Sequence, residues 1–186
     1  MMIKVCGITR REDARAAEEA GASALGFIFY RPSPRYITPE RAAGIGDGLA
    51  VLKVGIFVDE APAAIESAMR TANLDIAQIY GGATPAGVRV WKAFRVGVAG
   101  LAPFTDCEAV LLDSPQSGES FDWRLARNAA ERVIIAGGLD ASNVREAIRQ
   151  AEPWGVDASS RLESAPGIKD HEKIRQFIKA AQQERS

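Results

Sequence analysis

Histidine is nearly absent from this chain: among 186 residues there is one, His171. It sits between Asp170 and Glu172 at the start of a helical pattern, where a solvated helix terminus is the plain reading. Serine–histidine triads and multi-histidine metal sites therefore lack their parts. Cysteine is almost as scarce. Cys6 and Cys107 are the whole complement and lie far apart, so no disulfide framework or zinc spacing is expected, and a cytoplasmic setting with free thiols fits. Neither sign of charge is in excess, with 23 Lys and Arg against 24 Asp and Glu and a formal net charge of -1. Without a basic stripe or tail, neither nucleic acid nor an anionic membrane surface is an expected partner. No apolar run approaches the roughly 18 residues of a membrane span. The opening Met1-Met2-Ile3-Lys4 shows no long apolar segment before a cleavage site, so no signal peptide is expected. Chemistry is left to carboxylates, thiols, arginines and backbone amides.

What the chain does contain is a recurring alternation. Eight β-rich runs, at 3–8, 24–29, 52–58, 76–80, 90–96, 109–113, 132–136 and 155–159, are separated by more polar segments. Several runs are apolar almost throughout, as expected of parallel strands covered on both faces. Helical patterns lie at 11–20, 39–47, 62–72, 123–130, 141–150 and 170–183, the last with Asp170 placed to cap it. Strand–helix alternation over eight units points to a closed (β/α)8 barrel, one domain covering 1–186. Such barrels typically need about 250 residues, so something is missing. Residues 81–89, as helix, would span about 14 Å against strands of about 17–20 Å, with none left for turns. Extended, they reach about 30 Å and make the return as a bare loop. Segment 97–107, with Gly97, Gly100 and Pro103, has the same problem. The fourth and fifth helices are expected to be loops or single turns.

Active sites of this fold form at the C-terminal ends of the strands, so the last residues of each run are the suspects. Cys6 ends the first run and reads either as a buried structural thiol or as a reagent. A reactive role needs a cation to favour the thiolate, and Lys4, two residues back on the same strand face, is placed to be one. Asp113 closes four apolar residues, where desolvation would raise its pKa and suit it to donate a proton. Capping of the turn through Ser114 and Pro115 is the alternative. Arg35 follows Pro32 and Pro34, a stiff loop suited to presenting a guanidinium to a carboxylate or phosphate. Gly137 and Gly138 end the seventh run, and Asp157 through Arg161 end the eighth. Loops at those two positions frequently hold phosphate, though turn formation alone would also explain paired glycines.

Together these pieces resemble the phosphoribosylanthranilate isomerase family of tryptophan biosynthesis. The resemblance rests on Lys4-Val5-Cys6-Gly7-Ile8-Thr9, on Gly26-Phe27-Ile28-Phe29 with Ser33-Pro34-Arg35-Tyr36-Ile37, and on Val54-Gly55-Ile56-Phe57-Val58. It continues through Lys92-Ala93-Phe94, Leu111-Leu112-Asp113, Phe121-Asp122-Trp123, Ala136-Gly137-Gly138-Leu139 with Asn143-Val144, and Asp157-Ala158-Ser159-Ser160 with Pro166-Gly167-Ile168-Lys169-Asp170. These stretches stand in family order from end to end.

The resemblance implies an Amadori rearrangement without metal or cofactor, acting on a small phosphorylated substrate. Asp113 would be the general acid that opens the ribose ring and Cys6 the base that removes the C2 proton. Arg35 would hold the substrate near its anthranilate end, with Asp157 also binding substrate. Gly137, Gly138, Ser160 and Arg161 would form the phosphate loops. Three departures stand out. Tyr80 occupies the place of a usual histidine, the segment 114–120 is short, and Arg161 replaces a common glycine. A related sugar-phosphate isomerase of shifted range, and an inactive phosphate-binding barrel, are the competing functions. Either a monomer or a homodimer is compatible with the sequence.

Overall fold

Strands buried on both faces need cover inside and outside the sheet, and a barrel ringed by helices provides it. The computed structural model describes residues 1–97, 106–116 and 119–184. In it, β1 (Met2–Val5), β2 (Ala24–Ile28), β3 (Leu52–Val58), β4 (Ile76–Tyr80), β5 (Val90–Arg95), β6 (Ala109–Asp113), β7 (Val133–Ile135) and β8 (Gly155–Ala158) form a closed barrel in chain order. All neighbours are parallel, and the barrel closes where β1 pairs with β8, Lys4 opposite Asp157. Alternation along β1 sorts its side chains between two cores. Ile3 and Val5 pack outward with Leu25, Phe27, Ile174 and Phe177. Met2 and Cys6 pack inward with Val54, Ile56, Trp91 and Leu111. Lys4 lies between Met2 and Cys6 and is completely buried.

The helices are α1 (Arg11–Ala20), α2 (Pro39–Gly46), α3 (Pro62–Thr71), α4 (Val144–Ala151) and α5 (His171–Gln183). Proline opens α2 and α3, where its missing N–H leaves nothing unpaired. Asp170 caps α5 as read from the sequence, its Oδ1 accepting from the N–H of Glu172 at 2.9 Å and of Lys173 at 3.2 Å. His171 is more than a solvated terminus. Its Nε2 lies 2.8 Å from Oδ1 of the buried Asp13 on α1, which also accepts from Arg10 and from the Lys169 N–H. Burial alone would push Asp13 up, but these partners hold its carboxyl below the ordinary range.

Between β4 and β5, residues 81–89 contain no helix, as expected. Gly81 takes a left-handed φ of 67°, and a Cβ there would sit 2.1 Å from Asp59 Oδ1. Of segment 97–107, residues 98–105 lie outside the described residues. One expectation needs correcting: 123–130 is not a helix but a single 3-10 turn, Trp123–Ala126. Arg127 is extended with ψ 122° and Asn128 has φ 59°, so the chain leaves helical geometry at once. A second correction concerns α4, which begins at Val144 rather than 141 because Asp140, Ser142 and Asn143 are tied into the preceding loop. An unforeseen antiparallel hairpin, β9 (Glu163–Ala165) with β10 (Ile168–Lys169), follows β8. Among the described residues no helix is long and apolar enough to cross a membrane.

Candidate active site

The site begins with a charge that the barrel interior must neutralise. A lysine with no exposure needs an ion partner, and the β1–β8 register supplies one 153 residues away: Lys4 Nζ lies 2.7 Å from Asp157 Oδ2. Burial pulls the ammonium down, but Asp157 and Cys6 outweigh it, so Lys4 stays charged. Burial likewise pushes Asp157 up against the pull of Lys4. Among the described residues the other Asp157 oxygen, Oδ1, is buried without a partner.

Cys6 follows the last residue of β1 and donates its N–H to Ala158 O at 2.9 Å. Its thiol occupies space that a side chain on Gly26 would fill, since a Cβ there would stand 2.6 Å from Sγ. Burial pushes the thiol above its ordinary value; Lys4 and Lys169 oppose this and Asp157 adds to it. Lys4, the cation the sequence places two residues before Cys6, does favour the thiolate, though not enough to offset burial. Lys4 reaches Cys6 while it also pairs with Asp157, and burial still holds the thiol above its ordinary value.

Asp113 ends β6 with a different partner on each oxygen. Oδ1 accepts from the Ser114 N–H at 2.9 Å, so the capping reading is right in part, and Oδ2 accepts from the Tyr80 hydroxyl at 3.1 Å. Burial pushes this carboxyl up; Tyr80, the Ser114 N–H, Arg95 and Lys4 restrain it without cancelling it. Gly137 has φ 86°, and a Cβ there would come within 2.5 Å of Ser114 Cβ. Its lack of a side chain lets the end of β7 pass beside the acid.

Arg35 is held by a partner that nothing in the linear sequence announces. Its Nε and Nη2 donate to Glu163 Oε1 and Oε2, both at 2.7 Å. Lys169 Nζ donates to the same Oε1 at 2.8 Å and to Ser159 O at 3.1 Å. Burial would raise Glu163, yet Arg35 and Lys169 hold it below the ordinary range. The β9–β10 hairpin thus fixes the guanidinium, which the prolines alone do not. The Arg35 stem lies over Gly7, where a Cβ would meet Cδ at 2.6 Å.

Removing Glu163 would leave the buried Lys169 and the half-buried Arg35 unmatched. Glu163→Ala is expected to cost about 3 kcal/mol, roughly 6–12 °C in Tm by thermal unfolding, and a drop below about 2 °C would contradict the network. Because the folded pKa values of Glu163 and Asp13 are depressed, their stabilisation is present above the ordinary carboxyl range of about 4 and lost as pH falls below it.

The remaining candidates lie at the ends of β7 and β8, which are neighbours. Gly138 has φ 61° and its carbonyl accepts from Asn143 Nδ2 at 2.8 Å. Ser160 and Arg161 open a 3-10 turn, Ser160–Leu162. The half-exposed Arg161 places Nη1 3.4 Å from Asp140 Oδ2, beside a cavity of about 360 Å³ that Ser142, Lys173 and Gln176 also line. A larger cavity of about 610 Å³, lined by Met1, Met2, Arg149 and Trp154, lies at the opposite end of the strands and contains none of the proton-transfer groups. Glu163, Lys169 and the Tyr80–Asp113 contact are what the sequence left unmarked, apart from Tyr80 being flagged as unusual.

A closed parallel barrel with a thiol, carboxyls and anchored cations at the C-terminal ends of its strands has the layout of a (β/α)8 enzyme. Residues 3–180 match the family model for N-(5'phosphoribosyl)anthranilate (PRA) isomerase. The chain belongs to that family. A relative from Solibacter usitatus, named N-(5'-phosphoribosyl)anthranilate isomerase, is 50% identical over 194 residues, covering 97% of each chain. The crystal structure of the isomerase from Thermus thermophilus superposes with TM-score 0.89 at 37% identity, covering 98% of this chain and 99% of that one. A solved family structure in complex with reduced 1-(o-carboxyphenylamino)-1-deoxyribulose 5-phosphate gives TM-score 0.83 at 36% identity, with 98% and 99% covered.

Proposed function

We propose that this chain isomerises N-(5'-phosphoribosyl)anthranilate to 1-(2-carboxyphenylamino)-1-deoxyribulose 5-phosphate in tryptophan biosynthesis, using its own side chains as acid and base. The observation that carries the residue roles is the placing of the Asp113 carboxyl and the Cys6 thiol at strand ends of one barrel, with the Lys4 ammonium acting on both.

Protonated Asp113 gives its proton to the ribose ring oxygen as the C1–O bond breaks, and the nitrogen lone pair closes a Schiff base. Cys6 thiolate takes the proton from C2, and those electrons form the enolamine C1=C2 bond. A proton returns to C1 as the C2 hydroxyl loses its own, giving the ketone with no net proton change. Both groups then regain their starting states. Burial keeps Asp113 inclined to hold a proton and Cys6 a thiol, so the reactive pairing of acid and thiolate is a minority form. Lys4 and Lys169 are the charges that favour the thiolate within it.

Asp157 Oδ1 is suited to accept a ribose hydroxyl, and Arg35 to grip the anthranilate carboxylate while Glu163 holds its other edge. Gly137, Gly138, Ser160 and Arg161 are assigned to phosphate on the strength of their place after β7 and β8. The barrel runs from Met2 to Ala158 and α5 packs against α1, which supports reading 1–186 as one domain. A cytoplasmic enzyme, monomeric or homodimeric, is the fitting setting.

The test is growth. Expression of the chain should let a tryptophan auxotroph lacking this isomerase grow without tryptophan, and purified protein should remove the fluorescence of the substrate. Soluble, folded protein that does neither would defeat the proposal.

A further inference from the structure

Two hydrogen bonds give the Asp113 oxygens unequal surroundings. Oδ1 faces a backbone N–H, while Oδ2 faces the hydroxyl of Tyr80 on β4. We infer that Tyr80 is a positioning residue for Asp113, fixing the carboxyl's orientation and keeping its proton easy to release. This rests on the reading of Asp113 as the acid.

The direction of the Tyr80 hydroxyl is set from behind. Gln78, two residues back on the same face of β4, points its Nε2 at the Tyr80 oxygen over 3.4 Å, a long contact. A hydroxyl has one proton, so an N–H on its oxygen leaves that proton for Asp113. Gln78 is 1% exposed, and among the described residues its Oε1 has no partner. The side-chain hydrogen bond that Gln78 makes among these residues is therefore the one to Tyr80.

The other groups acting on Asp113 are charges with partners of their own or at greater remove. From β1 comes Lys4, already paired with Asp157 of β8; from β5 comes Arg95, in register with Asp113; β7 offers Val133, Ile134 and Ile135 only. Cys6 and Asp157 act on Tyr80 as well, and with burial and Asp113 they push the phenol well above its ordinary value. Tyr80 therefore stays a neutral donor at any working pH. A histidine in this place, with an ordinary value of about 6.5, would instead be able to change charge within the working range.

A donor to a carboxylate favours the charged form. Tyr80→Phe removes that donor while keeping the ring, so the fold is expected to survive. Carbon NMR of the labelled Asp113 carboxyl should then show its midpoint raised by about one pH unit, a tenfold change in proton affinity. The limb of kcat/KM that belongs to Asp113 should move with it, with KM altered less than about threefold. Tyr80→His, which returns a donor, should bring the midpoint back to or below the wild-type value. An unmoved midpoint in Tyr80→Phe overturns the inference, as does a midpoint in Tyr80→His as high as that of the Phe variant. So does a tenfold rise in KM with the limb in place, which would make Tyr80 a substrate contact instead. The titration reads Asp113 without turnover, so failure of the isomerase reading would show separately, as absent conversion by the wild-type protein.

Discussion

Asp113→Asn will convert phosphoribosylanthranilate about a hundredfold to ten-thousandfold more slowly than the wild-type protein, the range a positioned general acid contributes. Asparagine has nearly the same shape and keeps an acceptor for Tyr80 or the Ser114 N–H, so the barrel will unfold within a few degrees of its normal midpoint. What it lacks is a proton to give. Among the described residues, Asp157 is the other carboxyl acting on this group, but its Oδ2 is held by Lys4 at 2.7 Å. Fluorescence loss of the substrate, followed alongside thermal unfolding, reads both quantities. A variant with more than about a tenth of normal turnover would remove Asp113 from the acid's role.

Lys4→Met carries the largest structural effect. The ammonium is completely buried, its partner Asp157 nearly so, and removing one member of such a pair costs about 3–5 kcal/mol because the other charge is stranded. Denaturant unfolding measures this. The double variant Lys4→Met, Asp157→Leu should recover most of the loss, since a well-packed apolar pair can replace a buried ion pair at little cost. If the two single losses simply add, the pair is not coupled as its 2.7 Å geometry requires. Turnover should fall as well, because Cys6 loses a cation that opposes the effect of burial on its thiol.

Much of this architecture is legible in the sequence. Continuous apolar runs such as Ala109–Asp113 announce strands covered on both faces, and the glycine-rich stretch 81–89 is too short for a helix and its turns. The sixth helix was misread because residues 123–130 carry a helical apolar pattern, while the backbone angles of Arg127 and Asn128, which pattern cannot report, end it after one turn. At the site, position along a strand exposed Cys6 and Asp113. Their partners were hidden for a different reason. Lys4 meets Asp157 on the neighbouring β8, Arg35 meets Glu163 on the hairpin after β8 and Tyr80 meets Asp113 two strands away, and such pairings depend on register and closure rather than on anything local. The counter-ion of Lys4 is hidden in the same way, since it lies 153 residues away in the sequence.

The central claim is that Cys6 is the base, although burial favours its thiol form. Cys6→Ala removes one sulfur from a small pocket beside Gly26 and leaves Lys4, Asp157 and Asp113 in place. Measured at saturating substrate on protein whose unfolding midpoint is unchanged within a few degrees, its turnover should lie at least about a hundredfold below the wild-type rate. Turnover within tenfold of wild type would show that another group removes the C2 proton.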